Sequence, residues 1–231
     1  GAAARHALLE EAAARWNVAR GTFNTGQSCH SPSRILVHES QADRLVELLA
    51  AEMNKLVVGD PKSPGTHLGP AINRAQFERI QRYIEIGIDE GARLACGGPG
   101  RPSGLERGYY VKPTLFAGVR PDMTIAQEEI FGPVLSVIPY RSVDEAVEIA
   151  NGTEYGLGAH VQGRDLAAAR AVAARIRAGQ VHINNPPWSA DAPFGGYKRS
   201  GNGREYGVEG LEEYLETKAI LGYMEGPAPT P

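Results

Sequence analysis

Short apolar runs alternate with amphipathic segments along most of the sequence, and this alternation constrains the fold most strongly. Runs of strand length occur at residues 33–37, 92–96, 109–116, 134–140, 158–162 and 180–183. The segments between them repeat apolar residues at helical spacing, as at residues 39–53, 73–90, 143–150 and 166–178. Asn73 and Gly91 are expected to cap the second of these helices, and a short helix is expected at residues 124–129. Alternating strands and helices favour a mainly parallel sheet with helices on both faces. We therefore predict an α/β fold with three layers, helix–sheet–helix, around a twisted sheet.

The two ends of the chain depart from this alternation. Residues 1–20 form an alanine-rich helical pattern that begins abruptly, so we expect the chain to be part of a longer protein. Residues 185–203 form a long loop rich in Gly and Pro, and loops of this length in compact domains are usually functional. A helix at residues 206–215, a lone strand at residues 219–223 and a mobile Pro-rich tail are predicted to follow.

Composition excludes several classes of function. The 231 residues carry 24 basic and 27 acidic side chains, for a net charge of -3, which provides no electrostatic footprint for nucleic acid or an anionic membrane. No apolar run is long enough to span a bilayer. The six histidines have no metal-ligand spacing, so no metal is expected. Two distant cysteines do not make a disulfide framework, which favours reduced thiols and a cytoplasmic location.

Cys29 lies in a small polar loop, residues 22–34, directly before a strand. A cysteine in such a loop either acts as a covalent nucleophile or is a small structural side chain, and the loop alone leaves both open. Cys96 ends the apolar run Leu-Ala-Cys, which favours a structural role. His30 adjoins Cys29, but adjacent side chains of an extended loop diverge, so we do not expect His30 to be its base.

Two later stretches place functional residue types on turns. Glu128 and Glu129 precede an Ile-Phe-Gly-Pro corner, where they form either a solvated helix end or a site that binds a diol or acts as a base. Trp188 and Phe194 lie on the Gly- and Pro-rich loop, where they either fill the core or line a substrate slot.

Nucleotide-binding loops of the common types are missing. Gly201 and Gly203 begin like a dinucleotide fingerprint, but Tyr206 occupies the place of the third glycine and no strand directly precedes them. If the protein uses a dinucleotide, most of its binding site lies outside this chain.

Three stretches in this order resemble signature motifs of the NAD(P)-dependent aldehyde dehydrogenase superfamily. Residues 25–29, Thr-Gly-Gln-Ser-Cys, are similar to its nucleophile motif. Residues 128–133, Glu-Glu-Ile-Phe-Gly-Pro, and residues 193–201, Pro-Phe-Gly-Gly-Tyr-Lys-Arg-Ser-Gly, are similar to two further motifs. The similarity extends from the first helix to about Ile220, so the chain resembles the C-terminal catalytic domain of that superfamily, and the resemblance implies its fold.

The resemblance implies a reaction for Cys29. The thiolate would add to an aldehyde to give a thiohemiacetal, hydride would pass to the nicotinamide of NAD or NADP, and water would hydrolyse the resulting thioester to a carboxylic acid. A small-molecule aldehyde is thus the implied substrate, with no nucleic-acid or membrane partner.

The resemblance also implies roles for other side chains. Glu129 matches the residue that hydrogen-bonds the nicotinamide ribose, and Phe131 matches the aromatic beside the nicotinamide. Phe23, Trp188 and Phe194 match positions that line the substrate tunnel.

Other matches are weaker. Gln76 and Arg79 are lesser candidates for the ribose region. The stretch His30-Ser31-Pro32 departs from the small residues common after the nucleophile, which alters the expected pocket beside Cys29.

Two parts of the family's active site are missing from this sequence. The general base lies in a Glu-Leu-Gly-Gly motif, and the oxyanion-hole asparagine lies in a Rossmann-type domain. The chain is therefore expected to be a catalytic half that is inert alone, with most of the cofactor site elsewhere. We expect the chain to consist of a catalytic domain at residues 1–216 and an oligomerisation strand with a tail at residues 217–231. The strand would contribute to a homodimer or homotetramer of the full-length protein.

Two alternatives stay open. A CoA-acylating relative would transfer the acyl group to CoA rather than to water. An inactive structural domain would keep the same fold without the reaction.

Overall fold

The computed structural model describes residues 2–222, with side chains described from residue 10 onward. The first half contains α1 (Ala2–Gly21), a 3-10 helix (Phe23–Gly26), β1 (Arg34–His38), α2 (Glu39–Met53), α3 (Arg74–Asp89), β2 (Arg93–Cys96) and β3 (Thr114–Ala117). The second half contains α4 (Thr124–Gln127), β4 (Val134–Tyr140), α5 (Val143–Asn151), β5 (Tyr155–Gly156), β6 (Gly158–Val161), α6 (Leu166–Ala173), β7 (Gln180–Ile183), β8 (Tyr197–Lys198) and α7 (Gly207–Glu212).

The main sheet has four strands in the order β1-β4-β3-β2. β4 pairs in parallel with both β1 and β3, while β2 joins the far edge antiparallel to β3. The predicted α/β fold with a mainly parallel sheet is confirmed, with an antiparallel edge strand as a detail that periodicity does not reveal.

Side chains of β4 divide the core into two clusters, one on each face of the sheet. On one face, Val134 and Ile138 pack with Ile80 and Ile84 of α3. On the opposite face, Leu135 and Val137 of the same strand join a cluster that contains residues of α1 and α2, namely Ala14, Val18, Val46, Leu49 and Met53. Because neighbouring residues of a strand point to opposite faces, this strand is apolar on both faces except at Ser136, and the sheet is covered by helices on both sides.

Two small sheets lie apart from the main one. β6 and β7 form a parallel pair, and β5 and β8 form an antiparallel pair of two residues each. β8 lies inside the loop predicted at residues 185–203. Two-residue strands carry too little periodicity to be recognised in a sequence.

Both ends of α3 follow the predicted capping. Asn73 Oδ1 accepts a hydrogen bond from Gln76 N at 2.9 Å, which satisfies a free amide of the first turn. At the other end Gly91 adopts a φ of 87°, and Ala92 N donates to Gly87 O at 2.9 Å. This is the Schellman arrangement that favours glycine after a helix.

Several predicted elements are shorter in the structure. The strand predicted at residues 109–116 starts only at Thr114, because Pro113 has no amide to donate and Tyr109 O already accepts from Ala71 N at 2.9 Å. The helix predicted at residues 124–129 ends at Gln127, and Glu128 is extended with φ -108° and ψ 152°. This extension places the two acidic residues outside the helix.

The C-terminal predictions were partly wrong. The helix expected over residues 166–178 ends at Ala173, and the one expected over residues 206–215 covers Gly207–Glu212. Residues 219–222 form no strand. Tyr223, the last residue of the predicted strand, and the predicted tail lie outside the described residues.

Within residues 2–222, none of the helices combines the length and the apolar character that crossing a membrane requires.

Candidate active site

A cleft of about 1330 Å³ brings together residues of two loops that lie far apart in the sequence. Cys29, Glu129 and Phe131 all line it. Its walls also include residues of α1, β1 and β6, so the cleft lies between the edge of the main sheet and the small β6–β7 sheet. The predicted nucleophile and the predicted cofactor residues therefore share one solvent-accessible space.

The backbone before Cys29 makes an unusually tight turn. Asn24, Thr25 and Gly26 follow one another with φ values of 50°, 59° and 70°, in the left-handed region. Local hydrogen bonds hold this turn: Asn24 Nδ2 donates to Gln27 O at 3.0 Å, and Gln27 Nε2 donates to Asn24 O at 3.2 Å. The turn follows α1 and leads into the loop in which Cys29 is an exposed free thiol.

The loop that carries Cys29 touches the Gly-Pro corner through glycine backbones. A Cβ atom added to Gly26 would lie 2.1 Å from Gly132 O, and one added to Gly132 would lie 2.6 Å from Ile80 Cγ1. These distances leave no room for a side chain at either position, so glycine is required for the two loops to meet.

Side chains of α3 hold the backbone of the acidic loop. Gln76 Nε2 donates to Phe131 O at 2.8 Å and to Ile130 O at 3.2 Å. Arg79 Nη2 donates to Glu129 O at 2.5 Å. Gln76 and Arg79 thus contact the predicted cofactor loop through its carbonyl groups, and Phe131 is held with a φ of 59°.

The two adjacent glutamates have different surroundings. Tyr83 Oη donates to Glu128 Oε2 at 2.5 Å. Burial and this hydrogen bond raise the pKa of the Tyr83 hydroxyl, so the tyrosine is a neutral donor at pH 7. The side chain of Glu129 is exposed, and among the described residues nothing pairs with its carboxylate. The sequence motif alone did not show that the two carboxylates have different hydrogen-bond partners.

An exposed carboxylate and a half-buried aromatic ring on one cleft fit the requirements of a nucleotide cofactor. A free carboxylate can accept hydrogen bonds from a ribose diol, and an aromatic ring offers a flat surface for a heterocycle. Glu129 and Phe131 supply these groups here, while the α3 contacts occupy their carbonyls. Among the side chains that the structure describes, residues 10–222, no cluster could hold a metal ion.

The three aromatic residues predicted for a substrate tunnel are not among the described residues that line the cleft. Phe23 is 56% exposed and Trp188 is 71% exposed, and Trp188 packs edge-on against Tyr206 at 5.5 Å. Phe194 lies nearer to the nucleophile, since its ring meets His30 edge-on at 6.5 Å. Their role in substrate binding stays a prediction.

His30 is engaged by neighbours other than Cys29. Its Nδ1 lies 3.3 Å from Ser28 Oγ, within hydrogen-bond range. Partial desolvation lowers the pKa of the His30 imidazole, and the charges of Arg20 and His182 lower it further.

A histidine pair beside the cleft was not anticipated from the sequence. His160 and His182 are register partners in the β6–β7 sheet, and their rings stack at 4.8 Å. Trp16 packs edge-on against His160 at 4.6 Å. Desolvation, followed by the charges of neighbouring His182 and Arg20, lowers the pKa of His160 to about 4. The two histidines are paired by the register of β6 and β7, which the sequence alone does not reveal.

Comparison with known proteins shows which family the sequence of this chain matches. The family model described as the aldehyde dehydrogenase family matches residues 6–220. A relative from Staphylococcus haemolyticus, named as an aldehyde dehydrogenase, is 51% identical over 212 residues, which cover 92% of this chain and 45% of the relative.

Solved structures of aldehyde dehydrogenases have the same fold as this chain. Aldehyde dehydrogenase C from Pseudomonas syringae, a mutant in complex with NAD+ and octanal, is 56% identical with a TM-score of 0.91 and covers 94% of this chain. An aldehyde dehydrogenase of Mycobacterium tuberculosis in complex with NAD+ is 44% identical with a TM-score of 0.87 and covers 92% of this chain. In both, as in the staphylococcal relative, the match covers 45% of the other protein, so the chain spans about half their length. The matched residues and the fold together show that this chain belongs to the aldehyde dehydrogenase family.

Proposed function

We propose that this chain supplies the nucleophile-bearing half of an enzyme that oxidises an aldehyde with NAD or NADP. The observation that carries the proposal is the shared cleft, in which an exposed Cys29 thiol faces the same space as Glu129 and Phe131. Family membership and two neighbours solved in complex with NAD+ support the choice of cofactor.

The chemistry begins with addition of the Cys29 thiolate to the aldehyde carbonyl carbon. The new C–S bond turns the carbonyl oxygen into an oxyanion, which backbone amides of the loop can stabilise. A bound nicotinamide would accept the hydride that leaves this carbon. The resulting thioester is attacked by water, the C–S bond breaks, and the carboxylic acid departs as the thiol is restored.

The other half of the active site would come from a longer polypeptide. The water-activating glutamate and the oxyanion-hole asparagine that the family resemblance implies have no matching motif in this sequence. We propose that residues 1–216 form the catalytic unit, that the segment from residue 217 serves assembly of a homodimer or homotetramer, and that the chain alone does not turn over. The octanal bound by the Pseudomonas syringae neighbour supports an aldehyde with an apolar body as substrate.

Replacement of each cysteine in the complete enzyme tests the proposal. With octanal and NAD, Cys29→Ala should reduce the rate of NADH formation by at least about a thousandfold, because the covalent route is lost. Cys96→Ala is the matched control, since Cys96 lies in a β-strand and burial raises its pKa, and it should retain activity. Full activity without Cys29 would reject the proposed role.

The same assay separates the alternatives. A CoA-acylating enzyme would form acyl-CoA when CoA is added and would need no water-activating glutamate. A structural domain would give no NADH from the complete wild-type protein with any aldehyde offered.

A further inference from the structure

One continuous segment, residues 69–83, contacts both loops that carry the proposed site residues, and we name it the bridge segment. Its first part meets the Cys29 loop. Thr25 Oγ1 donates to Gly69 O at 3.1 Å, and Ile72 N donates to Gln27 Oε1 at 2.9 Å. Since Gln27 lies two residues before Cys29, the second bond limits movement of the backbone that presents the thiol.

The second part of the bridge segment meets the acidic loop. Gln76, Arg79 and Tyr83 lie at helical spacing of three and four residues, which places them on one face of α3. Together they hold three consecutive carbonyl groups and one carboxylate of residues 128–131. Arg79 also lies over the Tyr83 ring, 4.8 Å from its centre, so the donors support one another.

Close packing joins the three pieces. Ile80 of the bridge segment lies under Gly132, and Gly132 lies against Gly26 of the Cys29 loop. Ile80 is 0% exposed, so this contact belongs to the core. Because protein cores are densely packed, a shift of α3 would displace both loops together.

We propose that the bridge segment is the positioning element that sets the nucleophile loop and the cofactor loop at a fixed separation, with Tyr83 as a positioning residue for the cofactor end. Glu128 and Glu129 both line the cleft, and Tyr83 binds the carboxylate of Glu128. This bond and the bond from Arg79 to Glu129 O fix the backbone that carries the Glu129 side chain. This role rests on the proposed function, because it concerns the separation of the same reacting groups.

The Tyr83→Phe variant of the complete enzyme tests the role. It keeps the ring and its contact with Arg79 and removes only the hydroxyl. Loss of one hydrogen bond to a charged group should raise the Kd and the KM for NAD by about three- to tenfold. The KM for the aldehyde and the rate of Cys29 alkylation by iodoacetamide should change by less than about twofold, because the hydrogen bonds at Gly69 and Ile72 persist.

Three further variants test whether the effect is specific to the Tyr83 hydroxyl. Tyr110→Phe removes a hydroxyl outside the bridge segment and should leave the Kd for NAD at the wild-type value. Glu128→Gln keeps an oxygen acceptor for Tyr83 and should shift the Kd less than Glu128→Ala.

Each possible result of these measurements supports or rejects the positioning role. If the Tyr83→Phe enzyme shows an unmoved Kd for NAD, the positioning role is rejected while the proposed function stands. If its urea midpoint falls and the Kd for NAD does not change, Tyr83 is structural only, which also rejects the role. A wild-type enzyme that neither binds nor reduces NAD would reject the proposed function and the positioning role together.

Discussion

A single carboxylate or imidazole in this chain acquires its character from neighbours that are distant in sequence. Glu128 and Glu129 are chemically identical and adjacent and both line the cleft, yet only the carboxylate of Glu128 is bound by Tyr83. His160 differs in the same way from an exposed histidine, because the rings of His182 and Trp16 surround it. The sequence supplied the residue types, and the tertiary contacts assigned their states.

The lowered pKa of His160 predicts acid sensitivity. The folded state keeps this imidazole neutral down to about pH 4, whereas the unfolded chain binds a proton near its ordinary pKa of 6.5. Because the unfolded state binds more protons in this window, the contribution of His160 is complete above pH 6.5 and is lost as pH falls toward 4.

The measurement is the urea midpoint between pH 4 and pH 7 for the wild type and for His160→Phe. The variant keeps an aromatic ring against Trp16 and His182 but cannot be protonated. It should lose less stability on acidification than the wild type. An identical pH slope in both proteins would show that His160 does not contribute.

The elements around the site are joined at points where no side chain fits. The 3-10 helix and the corner before β4 meet at Gly26 and Gly132, and α3 supports the corner through Ile80. The helices and strands themselves follow local patterns, since α3 has its Asn cap and its Gly end where the sequence predicts them. The contact between the elements depends on backbone approach, which hydrophobic periodicity does not report.

Gly26→Ala should therefore destabilise the chain by about 2–4 kcal/mol, because the added methyl group meets Gly132 O and the positive φ disfavours alanine. Gly65→Ala is the matched control: its φ is 86°, and no atom lies within 4 Å of the added Cβ. It should cost only about 1 kcal/mol, the backbone contribution.

Urea denaturation of both variants measures the difference in the free energy of unfolding. Equal losses in the two variants would mean that left-handed backbone strain, and not the approach of the two loops, explains the need for glycine at position 26.

The whole molecule combines one well-covered sheet with two small ones. Five of the seven residues of β4 are buried and the strand is paired on both sides, whereas the residues of β6 and β7 are mostly half-buried. Isolated two-stranded sheets are marginally stable, and β6 and β1 both border the cleft. Stability is thus expected to be uneven across the chain.

Hydrogen exchange of the chain at neutral pH should show this difference. Amides of Gly158–Val161 and Gln180–Ile183 are expected to exchange at least about tenfold faster than those of Val134–Tyr140, because local opening exposes less buried surface. The measurement compares protection factors by peptide-level mass spectrometry. Equal protection of the two sheets would contradict a separate opening of the β6–β7 pair.

By itself, the sequence determined the strand–helix alternation, the caps of α3 and the three motifs that identify the family. Local periodicity, turn residues and motif order carry that information, so the fold class and the position of Cys29 in an exposed loop could be predicted. The strands of two residues, the shortened β3 and the missing strand at residues 219–222 could not, because pairing partners decide them.

Only the tertiary structure decided how the motifs meet. It placed Cys29 and Glu129 on one cleft, turned Glu128 onto Tyr83, and paired two histidines across β6 and β7. The physical reason is that a side chain's role here depends on distance, burial and hydrogen-bond partners contributed by remote segments. Those quantities arise when the chain packs, and no local pattern in the sequence contains them.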